Sequence, residues 1–275
     1  LTPPAHMNVV LSLRQIGVPL GGMLAGLVMP PLALRFGWQT SLLIQLIPTF
    51  ALMVLLETVR RKWDARSPTA GPHAPSLRSM LGLLSHSAAL RRLSFAAFVY
   101  SGLQLCFIVF MTTQLTTVVG FDLVLAGQAL AAYQLSGVIS RPIWGWLADN
   151  VLAARWLLAL QGAIMCGAAF LAGRFAPGWP PHLIFLVCIV AGATASGFTG
   201  IAYGEYARLG GSRRTEATGV GSAFMFAGVM ALPSATSAAL TLLGSYTLAY
   251  SCIGLLALAA GAMQALPRRE TPPPA

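Results

Sequence analysis

The chain has 275 residues, 56% of them hydrophobic and only 9% charged, with a mean hydropathy of +0.74. Those proportions exclude an ordinary soluble domain. A formal net charge of +10 raises nucleic acid as a partner. The basic residues lie at the ends of apolar runs, not along one helix face beside aromatic groups, and so exclude it.

Eight apolar runs follow one another, at approximately 8–32, 38–58, 92–118, 123–146, 155–174, 182–206, 216–243 and 246–266. Each reaches the roughly 20 residues that a helix needs to cross a hydrocarbon core. Lipid offers backbone N–H and C=O groups no partner, so the runs are helical. The expected fold is an all-α, polytopic helical bundle with the lipid bilayer as its solvent.

The first run carries Arg14, with Gln15 beside it, in Ser12-Leu13-Arg14-Gln15-Ile16-Gly17-Val18-Pro19. An arginine near the bilayer centre costs about 2.5 to 3.5 kcal/mol on insertion scales, so it faces a wet cavity or snorkels to headgroups. Gly17, Gly21, Gly22 and Gly26 form a small-residue pattern that lets helices approach closely, and Pro19 can bend the span. The stretch 60–91 is the most hydrophilic, with Pro68, Pro72 and Pro75 in its first half. In its second half Leu77, Met80, Leu81 and Leu84 recur at helical spacing, which predicts a short amphipathic helix on the membrane surface.

In the third run Tyr100, Gln104, Phe107 and Met111 share a face, and in the fourth Leu130, Gln134, Gly137 and Arg141 do. Ser196, Thr199 and Tyr203 share one in the sixth. Such polar faces line either a pathway or an interhelical seam. Neither Arg14 nor Arg141 has an acidic residue three or four positions away, and Asp149, Glu205 and Glu216 all stand at run ends. Unpaired guanidinium groups facing a cavity favour an anion, because their planar fork matches a carboxylate. Gly219, Gly221, Gly228 and Pro233 mark the seventh run, and the tail ends in Pro272-Pro273-Pro274. Cys106, Cys166, Cys188 and Cys252 stand singly inside runs and read as small buried hydrophobes.

Positive charge falls in every second gap. Arg60, Arg61, Lys62, Arg66, Arg78, Arg91 and Arg92 follow the second run, and Arg155 the fourth. Arg208, Arg213 and Arg214 follow the sixth, and Arg268 and Arg269 the last, whereas the other gaps hold only Arg35 and Arg174. This bias predicts that those gaps and both termini are cytoplasmic, in a multi-pass cell membrane protein. No HExxH or GxSxG occurs, and His6, His73, His86 and His182 form no i, i+4 pair. No enzyme activity, metal or cofactor is expected.

The most specific motif is Gly145-Trp146-Leu147-Ala148-Asp149-Asn150, closing the fourth run before Arg155. It resembles the motif between the second and third helices of each half in the major facilitator superfamily. The usual Gly-Arg-Arg ending is replaced here by Leu152-Ala153-Ala154-Arg155. The resemblance implies that Asp149 latches an inner gate by pairing with a loop arginine and with the positive N-terminus of a neighbouring helix. Gly145, Asp149 and Arg155 are the gating candidates.

Gly17-Val18-Pro19-Leu20-Gly21-Gly22, followed by Phe36-Gly37-Trp38, is similar to that family's fifth helix and the turn into its sixth. Glu205-Tyr206-Ala207-Arg208 and Glu216-Ala217-Thr218-Gly219 resemble the inner loop between helices ten and eleven. This register implies a fragment carrying helices five to twelve of an expected twelve in a bacterial inner membrane. Residues 1–59 would close an N-terminal bundle, 60–91 form the central cytoplasmic loop, 92–266 a six-helix bundle and 267–275 a tail. Arg141-Pro142 is also similar to the branch that moves monocarboxylates and oxalate, where an arginine meets the substrate carboxylate.

The expectation is therefore a secondary transporter of small organic anions working by alternating access. Arg14, Gln15, Gln104, Gln134 and Arg141 would bind substrate, and protons or a counter-anion would be the coupled partner. Two alternatives stay open. The glycine-proline run partly resembles the fifth-helix motif of proton-coupled drug antiporters, which implies efflux of hydrophobic compounds. A piece lacking four helices would be inactive on its own.

Overall fold

The computed structural model describes residues 7–64 and 77–267. The three prolines of the 60–91 stretch and the proline tail lie outside the described residues. The helices are α1 (Met7–Arg14), α2 (Gly17–Phe36), α3 (Trp38–Ile44), α4 (Leu46–Asp64) and α5 (Leu77–His86). They continue with α6 (Ala88–Gln114), α7 (Leu123–Asn150), α8 (Ala154–Ala172), α9 (Pro181–Ala195), α10 (Phe198–Gly210), α11 (Arg214–Leu243) and α12 (Tyr246–Ala265). Side chains cap three starts. Ser87 accepts from the Leu90 amide at 3.2 Å, Asp122 from Val124 and Leu125 at 2.8 and 2.9 Å, and Ser245 from Leu248 at 3.3 Å.

Seven segments among the described residues are long and apolar enough to cross a membrane. The eight expected runs become seven segments because the sixth and seventh join in one 63-residue stretch, Pro181–Leu243. As one straight helix it would be roughly 95 Å long, about three times the hydrocarbon thickness, so it has to fold back. It breaks at Ser196–Gly197 and reverses after Gly210, where α10 packs against α11 through a Tyr203–Ser222 hydroxyl contact of 3.0 Å.

Two other runs are also broken, each by a proline four residues past an orphaned carbonyl. Pro19 has no N–H for the Gln15 carbonyl, so α1 stops and the chain tightens. There Gln15 donates to Ser12 O at 3.2 Å and Ile16 to Leu13 O at 3.1 Å. Pro48 does the same to Ile44, and α3 and α4 part at Gln45.

The α1–α2 arm runs antiparallel along α7. A Cβ on Gly26 would meet Gly127 O at 2.9 Å and the Ala131 amide at 3.1 Å, and one on Gly127 would meet Gly26 O and Pro30 Cγ at 2.5 Å. Helices this close admit only glycine at the crossing. Gly127→Leu is expected to prise α2 from α7 and cost about 1–3 kcal/mol, seen as a lower unfolding temperature in detergent.

The α9–α10 arm packs on α7 as well, α11 lies along α6, and α12 along α8. Between them lies a buried aromatic core. Phe107 sits 5.4 Å from Tyr250 and 5.9 Å from Tyr133, ring centre to ring centre, and Tyr100 donates to Leu158 O at 2.8 Å. The Tyr100–Phe107–Met111 face of α6 is therefore an interhelical seam. At the edge of the assembly, α4 leaves Ile47, Phe50, Met53 and Leu56 exposed, as a lipid-facing helix does. The stretch expected to hold an amphipathic helix is helical, as α5. Ser79 donates to Glu216 at 2.7 Å and Arg213 donates to Ser79 O at 3.0 Å, which docks α5 on the start of α11. Of the four cysteines, Cys106 and Cys188 are buried, Cys166 is half-buried and Cys252 is exposed.

Candidate functional site

Arg141 lies nine residues before the end of α7, about 13–14 Å along its axis. Only 2% of it is exposed. Its Nε donates to Ser196 O at 2.8 Å, its Nη2 to Ser196 Oγ at 3.2 Å, and its Nη1 to Gln15 O. The Gln15 carbonyl is the one that Pro19 deprives of a helical amide, and Ser196 O lies in the break between α9 and α10. Arg141 therefore holds two broken helices together where their C-terminal dipole ends offer partial negative charge.

The guanidinium is thus held by protein oxygens, whereas the sequence left open a wet cavity or the headgroups. Three of its five N–H donors already meet protein oxygens, leaving two. No ion pair to Arg141 occurs among the described residues, where the carboxylates Glu57, Glu205 and Glu216 pair with Arg60, Arg208 and Arg213.

Gln104 reaches the same point from α6. Its Nε2 donates to Ser196 Oγ at 3.4 Å, so Gln104, Ser196, Arg141 and the Gln15 backbone form one polar cluster. The other two candidates stand apart. Gln134 is buried, points across the α7–α2 seam at Gly22, and has an Oε1 with no hydrogen-bond partner. Arg14 is exposed and lines an open groove of about 450 Å³ between α1, α10 and α11, together with Gln15, Tyr203, Arg214, Thr218 and Ser222. Gln15 shares this groove with Arg14, and only its backbone carbonyl turns inward to Arg141.

At the end of α7, Asp149 accepts from the Asn8 side chain at 2.7 Å, the Asn8 amide at 3.3 Å and the Val9 amide at 3.0 Å. Its carboxylate thus covers the positive N-terminus of α1. Gly145, one turn earlier, makes room for this contact. A Cβ there would meet Ser12 Oγ at 2.8 Å and the backbone of Asn8 and Val9 at 2.9 Å. The loop arginine is placed otherwise than the motif implies. Arg155 lies over the Trp156 ring, 5.2 Å from its centre, and no ion pair joins it to Asp149 among the described residues. The substituted loop ending starts α8 at Ala154, and the Arg155 side chain turns along its own helix.

Three contributors were not singled out as site residues from the sequence: Ser196, Asn8 and Arg214. Ser196-Gly197 inside an apolar run is a helix-weakening pair that could have marked the break. Asn8 opens the first run where a cap belongs, and nothing local distinguishes Arg214 from its neighbours. Among the described residues, no cluster of three or more His, Cys, Asp or Glu could hold a metal ion.

Broken spans, a buried cation at their junction and glycine-faced helix contacts describe an all-α polytopic membrane protein. The profile of the Major Facilitator Superfamily matches residues 1–209, and the chain belongs to that family. Two Mycobacterium tuberculosis proteins from different strains, each named probable nitrate/nitrite transporter NarK2, are 28% identical to it over 204 residues. That match takes in 74% of this chain and 48% of theirs, so the chain spans about half the length of the curated relatives it matches.

Proposed function

We propose that this chain serves a secondary transporter of small planar oxyanions. The observation that carries the reading is the Arg141 guanidinium, buried at the junction of two broken helices with no carboxylate paired to it among the described residues. A cation so placed is a functional group by preference, since an unpaired charge in the membrane interior is costly. Its two remaining donors suit a planar oxyanion, and Gln104 and Ser196 orient the fork. Carboxylates have this geometry and so do nitrate and nitrite, for which the mycobacterial relatives are named. That name moves nitrate and nitrite ahead of the organic anions within the class.

Broken helices around a midplane site are the usual apparatus of alternating access. In this reading the anion competes with the Gln15 carbonyl for Arg141 and so loosens the α1–α2 hinge. Asp149 on the N-terminus of α1 then acts as the latch on the face bearing the basic loops, which is the cytoplasmic face. Protons or an exchanged anion drive the cycle in a bacterial cell membrane.

The test is uptake of isotope-labelled nitrate by liposomes containing the full-length protein. Saturable uptake, inhibited by nitrite and more weakly by acetate or formate, is the expected result. Saturable acetate uptake indifferent to nitrate would move the substrate back to carboxylates. Uptake of neither would end the oxyanion reading.

A further inference from the structure

The groove between α1, α10 and α11 holds charge that the buried cluster does not use. Arg14 comes from the end of α1 and Arg214 from the start of α11, and both line the same open space of about 450 Å³. Other basic side chains around them are engaged. Arg208 is paired with Glu205 at 2.8 Å, and Arg213 donates to Glu216 and to Ser79 O. The two carboxylates nearest in sequence to the groove, Glu205 and Glu216, are thus occupied by other arginines. Among the described residues, no ion pair or hydrogen bond engages the guanidinium of Arg14 or Arg214. Among the described residues, nothing neutralises these two positive charges of the groove. The first turn of α11 opens beside it with no side-chain cap on its amides, which adds the positive end of a helix dipole.

Gln15 ties this groove to the buried cluster. It lines the groove, while its backbone carbonyl accepts from Arg141. We infer that Arg14 and Arg214 form an outer anion station, nearer the face bearing the basic loops, which holds the transported oxyanion on the solvent side of Gln15 from Arg141. The inference rests on the oxyanion reading above and adds a second, weaker site on the same route. The hydroxyl wall does not compete for the role. Tyr203 and Ser222 bond one another at 3.0 Å, and Ser222 and Thr218 bond back to their own helix, so the two guanidinium groups supply the charge. A phospholipid phosphate shares this chemistry, and the experiment separates it from the free anion.

The full-length protein is reconstituted in phosphatidylcholine vesicles and in vesicles containing phosphatidylglycerol, with labelled nitrate as the probe. In Arg14→Gln/Arg214→Gln, the KM for nitrate rises about tenfold at low salt with kcat unchanged, the low end of what local charge does for ligand capture. The rise shrinks as salt is added, because exposed charges are screened. Arg14→Lys/Arg214→Lys, which keeps both charges, retains most of the wild-type KM. An unchanged KM in the glutamine variant overturns the station, and so does a KM effect confined to phosphatidylglycerol vesicles, which would assign the pair to lipid headgroups. Arg141→Gln separates the two claims. If it is inactive while the double variant matches wild type, only the outer station fails. If Arg141→Gln transports nitrate normally, the oxyanion reading fails and the station falls with it.

Discussion

Arg141→Gln is expected to lower nitrate uptake by about a hundredfold, the scale of a misplaced binding group, and to destabilise the protein at the same time. The two losses have one cause. The guanidinium holds the Gln15 and Ser196 carbonyls, and a buried carbonyl left without a donor costs about 1–3 kcal/mol. Arg141→Lys keeps the charge but not the planar fork, so it recovers little of the uptake. Pro19→Ala makes the structural part measurable by itself. It returns an amide to the Gln15 carbonyl, and in the Arg141→Gln background it should restore about 0.5–1.5 kcal/mol of stability without restoring uptake. Unfolding temperature and initial uptake rate, measured on all four combinations, complete a double-mutant cycle. Additive stabilities would mean that Arg141 does not complete the α1–α2 break.

Asp149→Ala comes second in size. Three donors on α1 lose their acceptor and the helix N-terminus loses its counter-charge, a combined cost of about 1–3 kcal/mol read as a lower unfolding temperature. Asp149→Asn keeps one acceptor oxygen and falls between the two. Uptake should fall with the latch, because the α1–α7 contact closes the proposed inner gate. Arg155→Ala, by contrast, should stay within about 0.5 kcal/mol of the parent, since that side chain lies on Trp156 and not on Asp149. A large effect at Arg155 with a small one at Asp149 would reverse the assignment of the latch.

Much of the fold was legible because its causes are local. Apolar length marks each crossing, the spacing of Leu77, Met80, Leu81 and Leu84 marks α5, and Gly145 with Asp149 lies one turn apart on one face of α7. Pro19 announces that the Gln15 carbonyl lacks a helical partner. The partner it takes is a different kind of fact. Arg141 stands 126 residues from Gln15 and 55 from Ser196, and Asp149 stands 141 residues from Asn8. No periodicity in one helix specifies which donor reaches which carbonyl across such separations.

The five expected site residues divide on that line. Arg141, Gln15 and Gln104 converge because the breaks in two spans meet at one level of α7. Gln134, only two turns from Arg141, turns toward Gly22 because α2 crosses α7 there. Arg14, adjacent to Gln15, faces the groove shared with Arg214. The amino-acid sequence alone determined membrane residence, helical form, a weak point at Pro19 and the arginines that cannot stay idle in lipid. Only the tertiary structure decided what those arginines touch, because hydropathy and backbone hydrogen bonding are settled within a few residues, whereas side-chain partners are set by how close glycine-faced helices come to one another.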